Sequence, residues 1–333
     1  MSIQNYEANK QELVDQAGLP EMVIFDYEFS PYVDLFDQLF EFCRENLLIH
    51  EQQYQIAPAR FFYENERNEV NACAMTIPGY SLIMITAALQ VHFYDHFYRN
   101  NDCFDRDEVL GERYGAIFNE GDPPGYIMYQ ISTQFTYYHE LAHLIQRSAL
   151  LPTRLNEKYQ ANGAPYEEYK HILEFDADCH AANLMTFHIL QYIERHPGMA
   201  GDQGVIQHLI ALYAATIFIY FTFLDGGGPV YYKAGDHPHP VIRIIYITNL
   251  IVEAARMNLG QMELDRTGIV HHAFDMSERF YAANQMANPI ERFDTIFENE
   301  YDQIAEYIVF LSDEATKYPE LCRNRVDANG NPI

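Results

Sequence analysis

The chain of 333 residues carries 21 Lys and Arg against 48 Asp and Glu, a formal net charge of -27, with 48% hydrophobic residues. That apolar content and length allow a substantial core, in one large domain or two ordinary ones. The acidic excess argues against nucleic acid and against an anionic membrane surface, because both bind through clustered Lys and Arg that release counterions. Cys43, Cys73, Cys103, Cys179 and Cys322 are odd in number and scattered, with no C-x-x-C pair, a pattern of reduced cytoplasm rather than of a disulfide framework.

In chain order, Met1 to Gly18 is polar and acidic where a secretory signal would have a basic start and an apolar middle, so nothing here is expected to direct export. Residues 1–30 read as an acidic lead-in. Val33, Phe36, Leu39, Phe40, Cys43, Leu47 and Leu48 then recur at helical spacing and predict a helix over 32–48. Three short apolar runs, 60–63, 70–75 and 80–85, are separated by polar turns and by Pro78-Gly79, and predict a small antiparallel sheet. A helix is expected from Thr86 to about Tyr98.

The loop Gly121-Asp122-Pro123-Pro124-Gly125 precedes a stretch in which Met128, Ile131, Phe135, Leu141, Leu144 and Ile145 again have helical spacing. A second linker, 150–166, contains Pro152, Gly163 and Pro165. A long helix is predicted over 167–195, closed by His196-Pro197-Gly198. The next helix, 204–224, is almost wholly apolar from 209 on and falls just short of the length needed to cross a bilayer. No Lys or Arg flank sets an orientation, and Gln207, His208 and Asp225 close its ends, so a buried core helix is expected. It ends in Gly226-Gly227-Gly228-Pro229. Helices over 240–258, near 275–285 and over 291–317 complete the reading.

The chemistry centres on His139-Glu140-Leu141-Ala142-His143. Two histidines four apart share one helix face and can close on a single ion, with Glu140 beside them. A third ligand is required. Thirty-one residues past His143, Glu174 and Asp178 are four apart on the long helix, so Glu174 can reach the ion while Asp178 accepts the second ring N–H of a ligating His. His171 is an alternative ligand, whereas a third His six residues after His143 is excluded by Ala149. Two histidines and a glutamate leave a fourth position for water, which is the open set of a catalytic zinc, with Glu140 as general base. N and O ligands also tolerate cobalt or manganese.

A further cluster is Asp236-His237-Pro238-His239-Pro240, followed by Arg243. Its X-Pro steps stiffen the backbone, so His237 or His239 could donate to a developing oxyanion, and Arg243 could bind a carboxylate or brace the loop. The bland alternative is a proline-started helix with exposed imidazoles. Other groups are read as structural: His92 and His96 as an aromatic helix flank, His271 and His272 as loop or surface, Tyr and Phe mostly as core, and 298–302 as a solvated helix face. Tyr137, Tyr138, Tyr231 and Tyr232 lie near enough in sequence to assist an oxyanion.

Taken in order, Asn71-Ala72-Cys73-Ala74, Pro78-Gly79, Ile85-Thr86-Ala87-Ala88-Leu89, His139-Glu140-x-x-His143, Glu174-x-x-Ala177-Asp178 and His237-Pro238 with Arg243 resemble the gluzincin metallopeptidases of the CAAX prenyl protease and HtpX type. The membrane helices usual there are missing apart from the single apolar helix over 204–224, and the doubled His-Pro is unlike their loop. A soluble chain of this length is more similar to the bacterial phage-exclusion Lit peptidases.

The resemblance implies a mostly helical α+β, zincin-like fold with a small antiparallel sheet. A catalytic domain over 31–260 would be followed by a helical region, 261–333, packed on the same domain. It implies that Asn71 sits on an edge strand of the substrate cleft, and that His237 and Arg243 border that cleft. The implied activity is zinc-dependent cleavage of a cytoplasmic polypeptide, with no nucleic-acid or membrane partner.

Overall fold

Apolar residues at helical and alternating spacing fold as their periods dictate. The structure, a computed structural model, describes residues 2–115, 117–118, 123–147, 155–156, 166–225, 228–260, 262–289 and 293–325. The linker of 150–166 falls almost wholly outside the described residues, as do Gly121, Asp122, Ala149, Gly226 and Gly227. The chain divides into two compact units, one of Met1–Phe93, Thr136–Lys158 and Thr316–Ile333, the other of Tyr94–Phe135 and Tyr159–Ala315.

The first unit opens with a helix, α1 (Ser2–Asp15), where a loose acidic lead-in is expected. The tertiary reason is aromatic: Tyr6 packs edge-on against Phe40 at 4.9 Å and its hydroxyl donates to the Phe25 carbonyl at 2.7 Å. Asn9 donates to the Phe61 carbonyl, so α1 is tied both to the sheet and to the helix α2 (Val33–Gln53). Strands β1 (Ala59–Glu64), β2 (Ala72–Ile77) and β3 (Tyr80–Thr86) stand where the three apolar runs predict them. Phe36, Phe61 and Tyr63 pack edge-to-face between α2 and β1, which is the core role expected of this chain's aromatic residues.

The sheet is mixed, not antiparallel. β2 and β3 form a hairpin with Ile77 opposite Tyr80, and its turn needs Gly79 at φ +85° after Pro78. The connection after β1 carries the chain past an empty strand position, which β3 then fills. β3 therefore runs antiparallel to β2 and parallel to β1, with Ala59 opposite Ser81 and Glu64 opposite Thr86. The outer side of β2 is not open throughout, because the two-residue β4 (Leu155–Asn156) pairs with Cys73 and Ala74. Asn71, expected at the edge of a cleft, is buried and exchanges hydrogen bonds with Thr86: its N–H donates to Oγ1 and its carbonyl accepts from the Thr86 N–H. It also lines a pocket of about 400 Å³ with Glu64, Glu66 and Glu69. After β3 the chain enters α3 (Ala87–His96).

The second unit is helical. It holds the short α4 (Cys103–Arg106) and α5 (Glu108–Tyr114), whose first turn is capped by Asp107. The boundary between the units falls inside α6 (Pro124–Gln146), which has proline in its first turn, where the missing N–H costs nothing. Next come α7 (Glu168–Arg195), α8 (Gln203–Asp225), α9 (Pro240–Asn258), α10 (Arg266–Ala283) and α11 (Phe293–Ala315).

α8 is long and apolar enough to cross a membrane by composition, but it is a core helix: 78% of its most apolar stretch is buried inside the protein. Its hydroxyls are satisfied within the fold, Thr216 on the Leu212 carbonyl and Thr222 on the Ile219 carbonyl. Of the loop or surface positions expected for His271 and His272, the structure gives a half-buried place on α10. The acidic run of 298–302 is the mostly exposed face of α11, as expected.

Candidate metal centre

α6 is apolar on nearly all sides, which buries it and carries its polar residues inward. His139, Glu140 and His143 are 0%, 0% and 2% exposed. The Nε2 atoms of His139 and His143 face each other at 3.1 Å, with the rings nearly perpendicular. Two nitrogens about 2.05 Å from one tetrahedral ion would stand about 3.3 Å apart, so this spacing suits a shared ligand position. The Nδ1 of His143 lies 2.9 Å from Oε1 of Gln146. A carboxamide oxygen only accepts, so Nδ1 carries the proton and the Nε2 lone pair is left for the metal.

The acid comes from α7. One ligand atom each of His139, His143 and Glu174 lie within 4.8 Å of one another, all three residues buried, and they form a group that can hold a metal ion. Among the described residues this is the one such cluster of three or more metal-binding side chains.

His171, the alternative ligand, is occupied elsewhere. Its Nδ1 accepts from the Tyr307 hydroxyl at 2.9 Å and its Nε2 donates to the Ala234 carbonyl at 3.2 Å. With Glu167, whose N–H donates to the Gly235 carbonyl, it anchors the His-Pro-His-Pro segment to the start of α7.

That segment separates its two histidines. Both are buried, not exposed. His237 has Nδ1 2.9 Å from an Asp236 oxygen and Nε2 3.4 Å from Oε2 of Glu174. Burial pulls the His237 pKa down, but the Glu174 and Asp236 carboxylates outweigh it and leave it above the ordinary histidine value. His239 instead caps α9, its Nδ1 accepting from the Val241 N–H, and its ring meets Tyr231. Burial takes its pKa down to about 3. The structure thus gives His239 a capping role and brings only His237 to the Glu174 carboxylate.

Asp178, one turn after Glu174, is engaged by Arg243 and Tyr246. Arg243 donates from Nε and Nη2 to its two oxygens at 2.8 Å each, and the Tyr246 hydroxyl donates at 2.5 Å. The Arg243 guanidinium also lies 3.7 Å over the Phe221 ring. Of the two roles open to Arg243, bracing is the one its contacts serve. The expected acceptance of a His ring N–H belongs, for His143, to Gln146.

The remaining candidates have other partners. Tyr137 and Tyr138 pack against Phe42, Tyr232 donates to Glu300, and His96 lies in a nest of Phe97, Phe223, Phe280 and Tyr281 rings. Gln146, Asp236 and Tyr246 were not singled out as site residues by sequence reasoning. Gln146 was within reach, since a side chain three residues after a ligating His lies on its face of the helix. Comparison of the chain with family models, with curated proteins and with solved structures gives no significant match to any of them.

Proposed function

We propose that the chain is a zinc-dependent endopeptidase, with the ion held by His139, His143 and Glu174. The observation that supports it is the buried donor set: among the described residues it groups three side chains, two N and one O. Structural zinc is closed by four protein ligands, whereas catalytic zinc keeps one position for water or substrate. Bound there, zinc would polarise a water molecule and the carbonyl it attacks.

Glu140 adjoins His139 on the buried side of α6. Its carboxylate takes the proton that water gives up as the new C–O bond forms, and delivers it to the amine nitrogen as the C–N bond breaks. His237, itself braced by Asp236 at Nδ1, stands with Nε2 3.4 Å from Oε2 of Glu174. The Asp178–Arg243–Tyr246 cluster fixes the next turn of α7. The substrate class we propose is a cytoplasmic protein of a bacterial cell, cut in phage exclusion, as the resemblance to the Lit peptidases implies.

The test compares the native chain with Glu140→Gln for metal content and for newly formed protein termini in expressing cells. One zinc per chain in both, with new termini only for the native chain, supports the reading. Zinc in both with no new termini overturns it in favour of a metal-stabilised interaction protein.

A further inference from the structure

The last turn of α6 is held by a segment far away in sequence. Cys322–Asn324 form a 3-10 turn, and Cys322 and the preceding Leu321 are buried. The Cys322 thiol lies 3.5 Å from the Ala142 carbonyl, 180 residues back, and Nη2 of Arg325 donates to the Gln146 carbonyl at 2.9 Å. We propose that Arg325 and Gln146 are positioning residues for His143, so that this strap sets the metal affinity of the site; the proposal rests on His139, His143 and Glu174 being the ligands.

The reasoning starts from where Gln146 sits. It is the last residue of α6, and Arg147 leaves the helix at φ +50°. The final four carbonyls of a helix have no partner within it, so this turn frays unless other groups hold it. Gln146 nonetheless fixes which His143 nitrogen bears the proton. A fraying turn would let the ring exchange tautomers and rotate. Arg325 supplies a partner to one such carbonyl, that of Gln146, and Cys322 touches the Ala142 carbonyl one turn earlier in the helix. Arg147, bonded to the Tyr54 and Gln55 carbonyls, adds a second cation at the negative end of the helix dipole.

The experiment measures zinc affinity by competition with a chromophoric chelator, together with the visible spectrum of the cobalt form, on full-length variants. Gln146→Leu should bind zinc about 10- to 100-fold more weakly, the usual cost of losing the partner of a ligating histidine. Gln146→Glu, which still accepts from Nδ1, should restore most of it. Arg325→Ala should lose about fivefold, the worth of one ordinary hydrogen bond, and Arg325→Lys should recover it. The cobalt spectrum should shift in the Leu and Ala variants, a change that a loss of stability alone does not produce. Affinities are compared only for chelated proteins with native far-UV circular dichroism, and Arg325→Gln replaces the alanine variant if that does not fold.

Native affinity and an unchanged cobalt spectrum in Gln146→Leu and Arg325→Ala would overturn the proposal while leaving the ligand assignment standing. Failure of the native chain to take up zinc, or equal uptake by His139→Ala, would instead overturn the ligand assignment and the strap with it.

Discussion

Replacing Arg243 by methionine tests whether the Asp178 cluster is what holds α7 against α9. The native pair is buried, with Asp178 0% and Arg243 4% exposed, and is joined by two hydrogen bonds of 2.8 Å. Methionine keeps much of the packing volume but leaves Asp178 with Tyr246 as the donor shown beside it. An uncompensated buried carboxylate costs about 3–5 kcal/mol. Loss of the contact over Phe221 adds a further ~1 kcal/mol of cation–π attraction. Asp178→Leu combined with Arg243→Met should recover most of the loss, because both charges then leave together. The assay is urea unfolding of chelated protein, which removes the contribution of bound metal, and reads the double-mutant cycle of the pair. A cost below about 1 kcal/mol for Arg243→Met, against the 3–5 expected of a broken buried pair, would refute the clamp. So would a double variant as unstable as the sum of the single ones.

Four further outcomes are expected. Glu140→Gln should keep its zinc and lose hydrolysis by about 10²–10⁴-fold, the usual contribution of a general base, measured by peptide turnover. Zinc at about 1,000 times its dissociation constant should stabilise the chelated chain by about 4 kcal/mol, read as a concentration-dependent rise in Tm that His139→Ala abolishes. Burial lowers the His96 pKa to about 4 against an ordinary 6.5, so between these values the unfolded chain binds the proton first. Stability of the chelated protein should therefore fall as pH drops through that window, by at most about 3 kcal/mol from this residue, and His96→Phe should flatten the fall in a pH series of unfolding curves. Gly79→Ala should cost about 1–2 kcal/mol, since its φ of +85° strains any residue with a Cβ, and unfolding midpoints will show it.

Periodicity makes most helices legible in the sequence. The long helix expected over 167–195 is α7 at Glu168–Arg195, and the apolar one over 204–224 is α8 at Gln203–Asp225. The metal group was legible for the same reason. His139 and His143 share a face by spacing alone, and Glu174 and Asp178 share one on the long helix that follows. These are statements about one element at a time, and the chain's local order contains them.

What the tertiary structure decided are pairings through space. The strand runs were visible, but that β3 returns between β1 and β2, making the sheet mixed, depends on where a loop lets the chain go. α1 has no strong apolar stripe; it is a helix held by Tyr6 and Asn9 contacts whose partners lie far along the chain. His237 and His239 look alike in sequence, and only the direction of α9 assigns one to a helix cap and the other to Glu174. Arg243 by sequence could bind a carboxylate or brace the loop, and the fold gives two of its N–H donors to Asp178, 65 residues away. Residue type and spacing determine which side chains can meet on one helix, because helix geometry is local. Which distant side chains satisfy one another is settled only when burial forces every polar group to find a partner.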